Sequence, residues 1–175
     1  MIGRIFLWLV ASALCAAEPA RPYYAARPGA LEKARELLAQ GDDTTAKALR
    51  KLVADADRAL AVRPPAVTEK TKVPPSGDKH DYMSLAPYFW PDPSKPDGLP
   101  YVRKDGKVNP ESRDEAANDT LRMRLIGGSV ETLALAYFFT KEEKYAAHAA
   151  RMLRVWFLAP ETRMNPNLRF AQAVA

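Results

Sequence analysis

Apolar positions recur at helical spacing in four stretches of the chain. Leu31, Ala34 and Leu38 form the first, which Gly41 ends. Asp42 or Asp43 is placed to cap a second helix by accepting a backbone N–H bond. In that helix Leu49, Leu52, Val53, Ala56 and Leu60 make one apolar stripe with Lys and Arg opposite, and Arg63-Pro64-Pro65 stops it. The pattern returns from Asp119 to Phe139, where Leu121, Leu125, Leu133, Ala136 and Tyr137 line one side. Gly127-Gly128 interrupts that side at a cost of about 1 kcal/mol each against alanine, which asks for a reason such as close helix packing. A break at Thr140 leads into a helix from Glu142 to Leu158. Its apolar face is Tyr145, Ala149, Leu153, Trp156 and Phe157, and Lys144, His148 and Arg151 form a basic, solvated one. No run alternates strongly enough to predict a strand. The pattern predicts an all-α fold of helical hairpins.

Between the helices the pattern fails. Pro64 to about Asn118 is proline-rich and irregular, yet it carries Tyr82, Tyr88, Phe89, Trp90 and Tyr101. A disordered linker is poor in aromatics, so this stretch reads as an ordered coil packed on the helices. Long ordered loops are uncommon and often functional.

The chain has 175 residues, 47% hydrophobic and 27% charged, which fits a globular protein of about one domain. Arg4, the apolar run Ile5 to Leu14 and the small residues Ala16-Ala17 describe a secretory signal peptide over 1–17, too short for a permanent membrane anchor. Cleavage near Ala17 removes Cys15, the only cysteine, and with it any disulfide or thiolate chemistry. The expected location is a bacterial periplasm or the cell exterior. The net charge of +5 falls to +4 without Arg4, a weak pointer to an acidic partner. Basic residues are spread over the helices rather than gathered in a stripe, which argues against nucleic acid. The domain organisation expected is a helical hairpin over 18–63 and a second region over 64–175.

The chemistry lies in the loops. Lys79-His80-Asp81-Tyr82-Met83-Ser84 gathers a cation, an imidazole, a carboxylate, a phenol and a hydroxyl. Tyr88, Phe89 and Trp90 follow. Rings beside hydrogen-bonding groups suit a sugar, whose C–H faces stack while its hydroxyls take directional bonds. The same rings also serve simply to anchor a loop. Lys79 suits a uronic-acid carboxylate. His80, in a polar loop, can orient a substrate, move a proton or make a structural hydrogen bond. His80 and His148 are the only histidines, and they lack any metal-ligand spacing. No phosphate loop or nucleophile elbow appears.

The run from Lys79 to Pro93, KHDYMSLAPYFWPDP, resembles the N-terminal signature of the alginate lyase superfamily of bacterial polysaccharide lyases. Three further blocks resemble it in order: Gly98 to Arg103 with Asn109-Pro110-Glu111, Leu133 to Thr140, and Trp156-Phe157-Leu158 with Thr162 to Leu168. The resemblance covers roughly Ser76 to Gln172. It implies an (α/α) toroid of helical hairpins, here an incomplete barrel, around a cleft for an anionic polysaccharide. It also implies β-elimination at a uronic acid. That reaction needs the carboxylate neutralised by Asn, His or Arg, a base such as Tyr or His for the adjacent proton, and an acid for the leaving oxygen. No metal or other cofactor is required. Family members are about twice as long, and their Asn-Asn-His stretch would lie beyond Ala175, so the chain reads as an N-terminal portion. The resemblance then assigns a substrate-facing wall of Lys79, Tyr88, Trp90, Asn165, Asn167, Arg169 and Gln172, with His80 and Tyr82 as the proton-transfer candidates present. A glycan-binding toroid without catalysis uses the same residue types. A helical-repeat module is the third reading, since Ser129 to Leu153 superficially resembles a tetratricopeptide unit. Repeats of about 34 residues do not align with the first hairpin, however.

Overall fold

A computed structural model of the chain describes residues 26, 27 and 29–173. The signal-like stretch and the junction at Ala17 lie outside the described residues. The chain divides into two compact units, 1–41 and 42–175. In the first, helix α1 (Ala30–Ala39) buries no residue and carries an exposed Lys33–Glu36 pair.

The second unit holds three long helices: α2 (Asp43–Leu60), α3 (Thr120–Thr140) and α4 (Glu143–Phe157). Asp42 starts α2 by accepting a 2.7 Å bond from the Thr45 N–H. Between α3 and α4, Lys141 takes a left-handed conformation (φ 60°) and its N–H returns to the Tyr137 carbonyl, closing α3 before α4 begins.

The three helices share one core of Ala56, Ala59, Leu133, Ala136, Tyr145, Ala149 and Met152, with Leu52, Leu60 and Val62 against its edge. Small residues on α2 let the Tyr145 ring sit fully buried, while its hydroxyl donates to Asp57 Oδ1 at 2.8 Å. A second cluster of Val67, Ile126 and Trp156 lies under the irregular segment, with Tyr82, Met123, Val130 and Met164 packed on it.

The registers of α3 and α4 differ from the pattern reading. The buried line of α3 is Arg122, Ile126, Ser129, Leu133 and Ala136, so Leu125 is left 39% exposed. In α4, Leu153 and Phe157 are exposed, while Met152 and His148 turn inward. His148 is therefore not a solvated basic-face residue. It is buried, and its Nε2 donates to the Val62 carbonyl at 3.0 Å, tying the end of α2 to α4. For α3 the physical reason for the shift is that the helix is apolar on nearly all sides. An apolar stripe then cannot mark which face is covered.

Close packing does not account for Gly127-Gly128. Both are exposed, and a Cβ at either would meet no atom within 4 Å among the described residues. Gly127→Ala and Gly128→Ala are expected to stabilise this unit by about 1 kcal/mol each, read as a raised urea midpoint.

The fold is mostly helical, and among the described residues four short strands, which no run of the sequence predicted, lie outside the helices. β1 (Met83–Leu85) pairs in parallel with β4 (Phe170–Ala173), and β2 (Phe89–Trp90) pairs antiparallel with β3 (Val102–Arg103). The long aromatic segment is ordered throughout. Thr71 N–H binds the Ala116 carbonyl, Asn109 N–H the Pro87 carbonyl and Asp119 N–H the Met83 carbonyl, so both ends fold back onto α3.

Candidate functional site

The segment from Asp78 to Ser84 is held from three sides. Beneath it, the Lys70 ammonium donates to the Val67 and Lys79 carbonyls, each at 2.7 Å, and lies 2.9 Å from Asp119 Oδ2. Both side chains are fully buried. Burial pulls the Lys70 ammonium below its ordinary pKa and pushes the Asp119 carboxyl above its own, and their mutual attraction opposes both shifts. Asp119 Oδ2 also accepts the Met83 N–H at 2.9 Å. Arg122, in the first turn of α3, is buried as well and donates to the Asn118 carbonyl.

Across the segment, Asp81 gathers hydrogen bonds. Ser76 Oγ donates to its Oδ2 at 2.7 Å, and the Asn165 and Asn167 amides donate to its Oδ1 at 2.9 and 3.1 Å. Asn165 also donates to Asp78 Oδ2 at 2.9 Å. The amides of Asn165 and Asn167, expected on the substrate wall, thus knot 165–167 to 76–81. The Asn165 amide, then the Ser76 hydroxyl, hold the Asp81 carboxyl below its ordinary value. A carboxylate with a lowered folded-state pKa stabilises the fold above its unfolded value, about 4, and that stability is lost as pH falls through the folded value. The stability advantage of the protein over an Asp81→Asn variant should therefore shrink as pH drops below about 4, measured by urea melts at successive pH values.

His80 sits in the same knot. Its Nδ1 lies 2.7 Å from the Arg163 carbonyl, an acceptor, so Nδ1 carries the proton and, in the neutral ring, Nε2 holds the lone pair. Arg169 is exposed beside the knot, with its N–H on Asn167 Oδ1. The Lys79 side chain is exposed.

Beside β1 lies a cleft of about 510 Å³. The irregular segment contributes Tyr82, Ser84, Leu85, Pro87 and Tyr88 to its wall. The single-turn helix Pro110–Arg113 supplies Ser112 and Arg113, and the first turn of α3 supplies Thr120, Met123 and Arg124. Gln172 of β4 completes it. Gln172 adopts φ 52°, a left-handed conformation unusual for a side-chain-bearing residue, where the β1–β4 register slips. Such a bulge re-aims a side chain, and its backbone N–H is taken by Ser84 Oγ at 2.9 Å. Tyr82 is fixed by its ring against the Val67, Ile126 and Trp156 cluster. Among the described residues nothing bonds its hydroxyl, and nothing pairs with the Arg113 or Arg124 guanidinium. The lining includes no carboxylate. The start of α3 adds the positive end of its dipole.

Of the expected residues, the cleft brings together Tyr82, Tyr88 and Gln172. His80, Asn165, Asn167 and Arg169 belong to the adjoining knot. Trp90 stands apart from both. Its Nε1 donates to the Lys107 carbonyl at 2.9 Å and Lys104 Nζ lies 5.4 Å over its ring, so it anchors the β2–β3 ribbon. Arg113 and Arg124 escaped the sequence reading. They are isolated cations eleven positions apart, and only the return of the loop onto α3 makes them neighbours of one cleft. No group of His, Cys, Asp and Glu with metal-binding geometry occurs among the described residues.

The model of the alginate lyase family matches residues 66–175. The chain belongs to the alginate lyase family. An alginate lyase from Bacteroides ovatus, solved by crystallography, is 49% identical to it, with a TM-score of 0.71 over 80% of this chain. The chain spans 36% of the length of that protein. No curated protein matches. The matched region takes in the knot, the cleft, α3 and α4, so the features built above all belong to the family-like part. No helix among the described residues is long and apolar enough to cross a membrane.

Proposed function

We propose that this protein is a polysaccharide lyase that cleaves an anionic polyuronate of the alginate kind by β-elimination. The observation that carries the reading is a cleft that, among the described residues, has two unpaired arginines, no carboxylate and an unbonded tyrosine hydroxyl. Arg113 and Arg124 hold the uronate carboxylate and draw off its charge, which makes the proton on the neighbouring carbon more acidic. Tyr82, as the phenolate, takes the proton from that carbon and returns it to the glycosidic oxygen as the C–O bond breaks and the double bond forms. Ser84, Thr120 and Gln172 offer bonds to sugar hydroxyls, and the Tyr88 ring offers a stacking face. His80, with a free Nε2, is the second proton carrier, placed after Tyr82 because it does not line the cleft. The Bacteroides ovatus relative is described as an alginate lyase, which agrees with this substrate class.

The same reading makes α2, α3 and α4 successive members of an (α/α) toroid. The apolar character of α3 on both faces supports that, since such helices are covered on both sides. It also makes the protein exported, on the strength of Arg4, the run 5–14 and Ala16-Ala17.

The test is incubation with alginate, other polyuronates and neutral glucans, following the ultraviolet absorbance of the conjugated double bond that elimination creates. Absorbance should rise with a polyuronate and not with a neutral glucan. A folded protein that binds a polyuronate without any rise would be a glycan-binding member and would overturn the enzyme reading.

A further inference from the structure

The buried pair beneath the site has no evident energetic purpose. Replacing such a pair by apolar residues of similar volume is often neutral or stabilising, so its presence points to geometry rather than stability. Its geometry is specific. Lys70 Nζ has three donors and three acceptors at 2.7, 2.7 and 2.9 Å: the Val67 carbonyl, the Lys79 carbonyl and Asp119 Oδ2. Asp119 grips Met83 twice, since its Oδ2 accepts the Met83 N–H and its own N–H donates to the Met83 carbonyl, each at 2.9 Å. The pair thus holds the backbone at Lys79 and again at Met83, and the residues between are His80, Asp81 and Tyr82. Asp119 is also the residue from which α3 springs, with Arg124 in the first turn and a half beyond it. Its Oδ1 is buried without a hydrogen bond and has the Arg122 guanidinium 3.8 Å away, so Oδ2 alone makes the two hydrogen-bonded contacts of the clamp.

We propose that Lys70 and Asp119 form a positioning clamp that fixes the Lys79–Met83 segment against the start of α3, and so sets Tyr82 in register with Arg113 and Arg124. Neither residue touches the cleft. The clamp acts through Tyr82, so the catalytic part of this inference rests on the polyuronate reading above.

The variant to make is Lys70→Met/Asp119→Asn. It removes both charges of the pair together, so that neither is left facing an empty partner, while Arg122 keeps Glu69 Oε2 at 3.8 Å, and it takes the donor from the Lys79 carbonyl. Two measurements are needed on the same protein. The first is amide hydrogen exchange. Exchange at residues 80–83 should quicken by about tenfold while α4 keeps its protection, because only the local segment is released. The second is steady-state turnover of alginate. kcat should fall by about 100-fold with KM nearly unchanged, because Arg113 and Arg124 still hold the carboxylate while the proton-transfer group drifts. Unchanged exchange at 80–83 would overturn the clamp. So would a kcat equal to that of the parent protein. Should the double variant fail to fold, Lys70→Gln/Asp119→Asn, which also removes both charges of the pair but keeps amide groups in place of the ammonium and the carboxylate, is read by the same exchange measurement with the same two outcomes. If the parent protein turns over no polyuronate, the lyase reading falls, and the exchange result alone still decides whether the clamp exists.

Discussion

Tyr82→Phe should lower polyuronate turnover by about 10²–10⁴-fold while leaving the fold intact. The two halves of that expectation come from different parts of the side chain. The ring packs on Val67, Ile126 and Trp156, and phenylalanine preserves that contact. The hydroxyl makes no bond among the described residues, so its removal leaves no partner stranded. A urea midpoint within error of the parent protein, with a collapsed kcat and a similar KM, would mark the hydroxyl as the group that moves the proton. A variant that retains turnover would pass that role to His80. Its Nδ1 proton is committed to the Arg163 carbonyl, which leaves Nε2 as a base.

Trp156→Ala carries the largest expected stability effect, about 3–5 kcal/mol. The indole is fully buried at the centre of the second cluster. Its loss would open a cavity between α4, Ile126 of α3 and Val67 of the irregular segment. Domains hold only about 5–15 kcal/mol in total, so this single change removes a large share of the margin. The neighbouring main chain makes relaxation harder, because the Trp156 carbonyl accepts the Met164 N–H at 2.7 Å and so fixes the turn after α4. Trp156→Phe is expected to cost much less. It keeps a ring in place, and the indole Nε1–H it removes is buried without an acceptor. Urea melts of the two variants against the parent protein measure both. Because Tyr82 and Met123 pack on the same cluster, Trp156→Ala should also weaken polyuronate binding without touching any cleft residue.

The helices were legible because each signal is local. The Asp42 cap is satisfied by a residue three positions away, and α2 buries Ala56 and half-buries Leu52 and Leu60 as its stripe predicts. What failed was the choice of face on α3 and α4, since Leu125, Leu153 and Phe157 look as apolar as Ile126 and Met152. His148 shows the same limit. Between Lys144 and Arg151 it reads as a surface cation, and only the distant Val62 carbonyl explains its burial. The strands were illegible because two to four residues cannot show alternation, and their partners lie far along the chain. In the site, the Asp78–Ser84 stretch announced itself by its density of polar types. The sequence could not distinguish the side chains that bond one another, Asp81 with Asn165 and Asn167, from those left open, Tyr82, Arg113 and Arg124. Lys70 gave no signal at all, since a lysine is expected in solvent and this one is fully buried.

In the proposed function, the cleft between β1 and the start of α3 reads a uronate carboxylate through Arg113 and Arg124. The direct test is a calorimetric titration of the protein with an alginate oligosaccharide and with the same oligosaccharide after its carboxyl groups are reduced to alcohols. A charge-assisted hydrogen bond contributes about 1.5–3 kcal/mol, so the reduced sugar should bind at least about tenfold more weakly. The Arg113→Ala/Arg124→Ala variant should bind both sugars alike. Equal affinity of the unaltered protein for the two sugars, or a full preference for the uronate retained without both arginines, would contradict the account.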